Sequence, residues 1–170
     1  MAYLLLMTGI KAIYVFCLCY AVVSDFKSLI IPNWAPLALV SAFAVFAALH
    51  LDWRTVLAHL AVAVVIFGVA VAFFLARWMG GGDVKLLTAV ALWMGPEHGA
   101  PFTFLMAVLG GLLASGLLLI NRYGDSIVRP VRDLAAFQRL EELARSGECP
   151  YGVAIGIAAL VASPTMLWSS

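Results

Sequence analysis

Charge is what this sequence has least of. Only 11% of its 170 residues are Asp, Glu, Lys or Arg, while 65% are hydrophobic. Soluble domains average roughly 25% charged residues, and a chain this small has proportionally more surface to cover. A water-soluble globular fold is therefore excluded, and no long polar stretch remains to form a separate soluble domain. Formal net charge is +1, so the chain lacks the basic footprint of a nucleic-acid binder. Cysteine is scarce as well. Cys17 and Cys19 are two residues apart, about 200° around a helix, and point to nearly opposite faces, which rules out joint chelation of a metal. Cys149 stands alone, so no disulfide framework is available and all three are read as packing residues. Several catalytic signatures are absent: there is no His-Glu-x-x-His and no Gly-x-Ser-x-Gly. The glycine run at 80–82 is not followed by the Gly-Lys-Ser/Thr of a phosphate-binding loop. His50, His59 and His98 have no ligand spacing and are read as interfacial residues. Neither a metal nor any other cofactor is expected. The N-terminus has no basic n-region or small-residue cleavage site and is not read as a cleavable signal peptide.

What the sequence has in abundance is apolar length. Runs at about Tyr3–Val23, Trp34–His50, Val56–Ala76, Phe102–Ile120 and Tyr151–Trp168 each approach the ~20 residues that cross ~30 Å of hydrocarbon. A sixth segment, Asp83–Met94, makes only about 18 Å of helix. The basic residues decide whether it crosses. With six crossings, Lys27, Arg77, Lys85, Arg122, Arg129, Arg132, Arg139 and Arg145 share one side, eight of the ten basic residues. Only Arg54 lies opposite, and Lys11 falls inside the first span. The positive-inside rule then puts that basic side in the cytoplasm and both termini outside. Trp34, Trp53, Trp78, Trp93 and Trp168 all fall at span ends, where an indole prefers the interface. Gly152 with Gly156 and Gly111 with Ser115 are small-xxx-small pairs, expected at close helix contacts. In the polar segment 121–150, Val131, Leu134, Phe137, Leu140 and Leu143 recur every three residues. Pro130 is a good helix start, which predicts an amphipathic helix on the cytoplasmic surface. The expected fold is all-α: one polytopic membrane domain over 1–170, with about six transmembrane helices and this cytoplasmic helix.

Ionisable groups at membrane depth are costly and point to function by default. Two carboxylates qualify. Asp25 follows the first span in Ser24-Asp25-Phe26-Lys27, ahead of Pro32-Asn33, and Asp83 closes Gly80-Gly81-Gly82-Asp83 ahead of Lys85. In the six-span layout both lie at the cytoplasmic boundary. Two close carboxyls sharing a proton can hydrolyse an amide with no Ser or Cys nucleophile: one ionised group takes a proton from water, and the other polarises the carbonyl. Helix dipoles suggest which is which. Asp25 at a helix C-terminus would hold the proton, and Asp83 at an N-terminus would be the base.

These residues resemble the type IV prepilin peptidase family, in particular its short members that serve Flp (tight adherence) pili. The match consists of Asp25 with Pro32-Asn33, and of Gly80, Gly82 and Asp83 with Lys85. Pro150-Tyr151-Gly152 at the last span is also similar. The resemblance implies an aspartic endopeptidase of Gly-x-Gly-Asp type in the bacterial cytoplasmic membrane. Its partners would be the lipid bilayer and prepilin or pseudopilin substrates, whose short basic leader is cut at the cytoplasmic face after a glycine and before the hydrophobic pilin helix. Asp25 and Asp83 carry over as the catalytic pair. Lys27 and Lys85 would tune the pair or contact substrate, and Pro32 and Asn33 would shape the loop. Larger members carry an extra segment with Cys-x-x-Cys pairs and also N-methylate the new pilin terminus. This chain has neither, so the resemblance extends to peptidase activity and not to methyl transfer. Two other readings of the same acids are a small ion- or proton-coupled transporter and a non-catalytic membrane subunit of a secretion system.

Overall fold

A computed structural model describes residues 1–127 and 135–163. Among these residues every regular element is a helix: α1 (Ala2–Ser28), α2 (Trp34–His50), α3 (Trp53–Leu75), α4 (Gly81–Ile127), α5 (Ala135–Ser146) and α6 (Tyr151–Val161). The helices α1, α3 and α4 are long and apolar enough to cross a membrane, and α2 and α6 are shorter apolar helices. Large apolar side chains such as Leu37, Val64, Phe104 and Leu118 are exposed. A helix that is apolar all round has no water-facing side, so these exposed side chains are the surface that lipid covers. The all-α polytopic membrane fold expected from the sequence is what the chain adopts.

The short segment at 83–94 and the span at 102–120 turn out to be two arms of α4. Its backbone is broken at Gly95 (φ 57°, ψ −164°), a conformation that only glycine adopts at little cost. The arms double back on each other. Asp83 lies near Cys149 in one cleft, and Leu117 and Ile120 of the second arm pack with Leu143, Phe26, Leu29 and Cys149 at the same end of the bundle. Next to the break, Pro96 has no N–H, so the Leu92 carbonyl loses the partner it would have in an unbroken helix. His59 of α3 replaces it, with Nδ1 2.8 Å from the Leu92 oxygen. A carbonyl can only accept, so Nδ1 carries the hydrogen. His59 is thus a buried residue that satisfies a broken helix, which corrects its reading as interfacial.

Trp93 also departs from expectation. Its indole is buried, donates to the Leu39 carbonyl at 2.9 Å, and packs on Tyr14, Phe43 and Phe46 with centroids 5.1, 5.5 and 5.6 Å away. These are ordinary aromatic pair distances, and the cluster is the centre of the core between α1, α2 and α4. Trp168 lies outside the described residues. In α6, Gly156 packs tightly on Val22 of α1, as small-xxx-small spacing predicts. In α4 the close contact is made by Gly110 on Tyr151, whereas Gly111 meets nothing.

The predicted amphipathic helix is present as α5, although its expected start at Pro130 lies outside the described residues. It is more firmly seated than a surface helix would be. Leu143 and Ala144 are buried against Leu117 and Leu29. Arg139 Nε donates to the Phe26 carbonyl at 3.1 Å, one of the last carbonyls of α1, which have no intrahelical partner.

Candidate active site

Both aspartates sit where a helix is interrupted for a local reason. Helix α1 stops because Leu29 turns left-handed (φ 56°). Ser24 Oγ donates to the Ile30 carbonyl at 2.6 Å, which holds the chain in that turn, and Pro32 then disfavours further helix. Asp25 therefore lies within the last turn of α1, one turn inside its end. At the other junction, α3 ends in a Schellman turn: Trp78 N–H donates to the Phe73 carbonyl and Arg77 N–H to the Phe74 carbonyl, both at 2.9 Å. The left-handed position of this motif usually holds glycine. Here it holds Arg77 at φ 62°. Gly80 to Gly82 then lead into α4 with Asp83 in its first turn.

Asp25 and Asp83 are both buried, 3% and 7% exposed, and both line one cleft of about 900 Å³. Leu29 and Tyr151 line the cleft beside them. Phe74, Leu75, Trp78 and Met79 form an apolar wall from the end of α3, while Arg77, Gly147, Glu148 and Cys149 add a polar rim. The lining of the cleft thus mixes apolar side chains with Arg77, Glu148 and the two carboxyls.

The hydrogen bonds to the pair are mainly backbone. Gly80 N–H donates to Asp83 Oδ2 at 3.2 Å, and Asp83 Oδ1 is buried with no partner among the described residues. Val153 N–H, in the first turn of α6, donates to Asp25 Oδ2 at 3.2 Å. Asp25 therefore faces the positive end of α6 although it rides on the negative end of α1. Both carboxylates thus face a helix N-terminus, and the α6 end offsets the α1 dipole at Asp25, which narrows the dipole difference between the two acids.

The remaining motif residues are placed outside this cleft. Gly82 packs on Ile31, its Cα so near that a Cβ would lie 3.2 Å from Ile31 Cβ, which seats the start of α4 on the loop after α1. Lys85 Nζ donates to Asn33 Oδ1 at 2.8 Å, and neither residue lines the cleft. This bond ties the Pro32-Asn33 turn to α4, holding together the two segments that carry the aspartates. Lys27 is exposed and also away from the cleft. No group of His, Cys, Asp and Glu that could hold a metal occurs among the described residues. Cys149 was not foreseen and gave no signal as a lone cysteine, whereas Pro150-Tyr151-Gly152 was noted as similar to the family without a role, which depends on the packing of α6 against α1.

Comparison with known proteins agrees with this geometry. No curated protein and no solved structure matches the chain. Residues 12–115, more than half of the 170 and including both aspartates, match the type IV leader peptidase family. The chain belongs to the type IV leader peptidase family.

Proposed function

We propose that this protein is an intramembrane aspartyl endopeptidase that removes the leader of Flp-type prepilins and pseudopilins at the cytoplasmic face of the bacterial inner membrane, with Asp25 and Asp83 as its catalytic residues. The observation that carries the reading is the meeting of two buried carboxyls, 58 positions apart in sequence (83 − 25), at the base of one cleft. Membership of the family supplies the reaction class. Both acids lie at one end of the bundle, whereas transport sites lie near the midplane, which favours hydrolysis over ion coupling.

In the proposed reaction the ionised member of the pair takes a proton from water as its oxygen attacks the scissile carbonyl. The protonated member donates to the carbonyl oxygen. The gem-diol intermediate then expels the amine, which takes the proton the water had given to the pair, while a gem-diol hydroxyl returns its proton to the other carboxylate as the new carboxyl forms, so the dyad ends singly protonated. Buried like charges favour that state, because two carboxylates held this close resist ionising together. The cleft suits the proposed substrate. Phe74, Leu75 and Trp78 in its lining offer apolar contacts for a hydrophobic pilin helix, and Glu148, beside Arg77 in the same lining, offers a charge complementary to a basic leader.

Co-expression with a Flp-type prepilin tests the reading. Wild type should produce a leader-sized mobility shift. Asp25→Asn and Asp83→Asn should each remove it, by about 10³-fold or more in rate, while remaining inserted in the membrane, since an amide can take neither role. Wild-type-like cleavage by either purified variant, or inhibition of the wild type by a chelator, would refute the aspartyl mechanism.

A further inference from the structure

We propose that the first turn of α6 is a third component of the active site, with Gly152 and Val153 as positioning residues that hold the Asp25–Asp83 pair. The inference rests on the peptidase reading above. It concerns a segment beyond the residues matched to the family, which end at 115.

Three observations converge on this turn. Val153 N–H donates to Asp25 Oδ2 at 3.2 Å. Tyr151, the residue before Gly152, lines the cleft together with both acids. Gly152 also has no room for a side chain, because a Cβ there would stand 2.8 Å from Asp25 Oδ2, 2.9 Å from its Cγ and 2.7 Å from Ile31 Cδ1. The unpaired N–H groups of a helix N-terminus stabilise negative charge. Unlike a Lys or His, they do so without a titratable proton that could compete with the one the dyad shares. Pro150, buried just before them, has no N–H of its own, so the donors offered to the acids are those of the following residues. Backbone from α6, which packs on both α1 and α4, thereby holds the carboxyl on α1 in place beside the one on α4.

Gly156 provides the control. It lies one turn further along α6 and packs on α1 through Val22, away from either carboxylate. Gly152→Ala, Gly152→Ala with Ile31→Val, and Gly156→Ala should be compared with wild type across a pH series in detergent. The Ile31→Val change removes the Cδ1 atom and so relieves the apolar clash while leaving the clash with Asp25. Expected for both Gly152 variants are a fall of about 100-fold or more in kcat for prepilin cleavage and a displaced pH–rate profile. Gly156→Ala should lower the melting temperature but keep the wild-type profile. A second readout needs no substrate: the isotope-edited infrared carboxyl bands of the Asp pair should shift in the Gly152 variants and not in Gly156→Ala. Rescue of cleavage by Ile31→Val would reduce Gly152 to a packing residue and overturn the inference. Unshifted carboxyl bands in Gly152→Ala would overturn it too. If wild type cleaves no prepilin but the bands shift, the peptidase reading falls and the hold of α6 on the carboxyls stands.

Discussion

On the rim of the cleft, the Cys149 thiol is pushed up to about 11, first by burial and then by the negative charge of Asp25 and Asp83. The thiolate is the form that reacts. At pH 8 roughly one molecule in a thousand carries it, against about a quarter for an ordinary thiol near 8.5. Alkylation of Cys149 by iodoacetamide, followed by mass spectrometry of its peptide, should therefore be slow at pH 8 despite the open cleft, and should quicken as pH rises toward 11. A rate in the folded wild type equal to that of the unfolded chain would show that the thiol does not share the carboxylates' surroundings. Residues differ in how legible they were. Asp25 and Asp83 stood out because a chain with so little charge has few reasons to keep an acid near lipid. Gly152 read as a close-packing residue within a familiar Pro-Tyr-Gly, with no sign of a tie to the acids, because the carboxylate crowding its Cβ belongs to a residue 127 positions earlier (152 − 25).

Among the elements, α4 shows most clearly what a linear reading of hydropathy misses. The break at Gly95-Pro96 leaves the Leu92 carbonyl without a helical partner, and the donor that satisfies it comes from α3. His59 looked interfacial because hydropathy treats an isolated histidine as a surface residue, and nothing in its own neighbourhood of sequence mentions Pro96. Replacing it with Phe keeps a ring of similar size against Phe43 but leaves the carbonyl buried and unpaired. That should destabilise the fold by about 1–3 kcal/mol, read as a lower midpoint of unfolding in detergent, with the aspartates themselves untouched. An unchanged midpoint would mean that the broken helix finds another donor. The end of α3 carries a similar lesson. Schellman turns are found in sequence by their glycine, and here the left-handed position is Arg77, so the turn that builds the apolar and basic edge of the cleft gave no warning.

For the molecule as a whole, the end of α1, the start of α4, the start of α6 and the packed α5 all gather at one end. On the proposed reading, the eight-to-one distribution of basic residues puts that end in the cytoplasm. Single cysteines at Ser28 and Ser146, in a background lacking the native ones, should then be labelled from the cytoplasm, and those at Asp52 or Glu97 from outside. Labelling of the Ser146 and Glu97 positions from the same side would remove the six-crossing layout. Apolar run lengths and charge asymmetry made this architecture readable, because bilayer thickness and loop charge act on each segment separately. The pairing of helices was not readable, because it is decided by side chains such as Trp93 and Gly156 that meet partners far away in sequence. Hydrolysis also consumes one water for every bond cut, and hydrocarbon holds almost none. Residues 81–94 of α4 make about 21 Å of helix, 14 residues at ~1.5 Å each, against ~30 Å of hydrocarbon. On the proposed reading, an arm that reaches one membrane surface starts ~9 Å short of the other, which would set Asp83 below the level of the polar face. The 900 Å³ cleft that both acids line would then be the reservoir from which the proposed reaction draws its water.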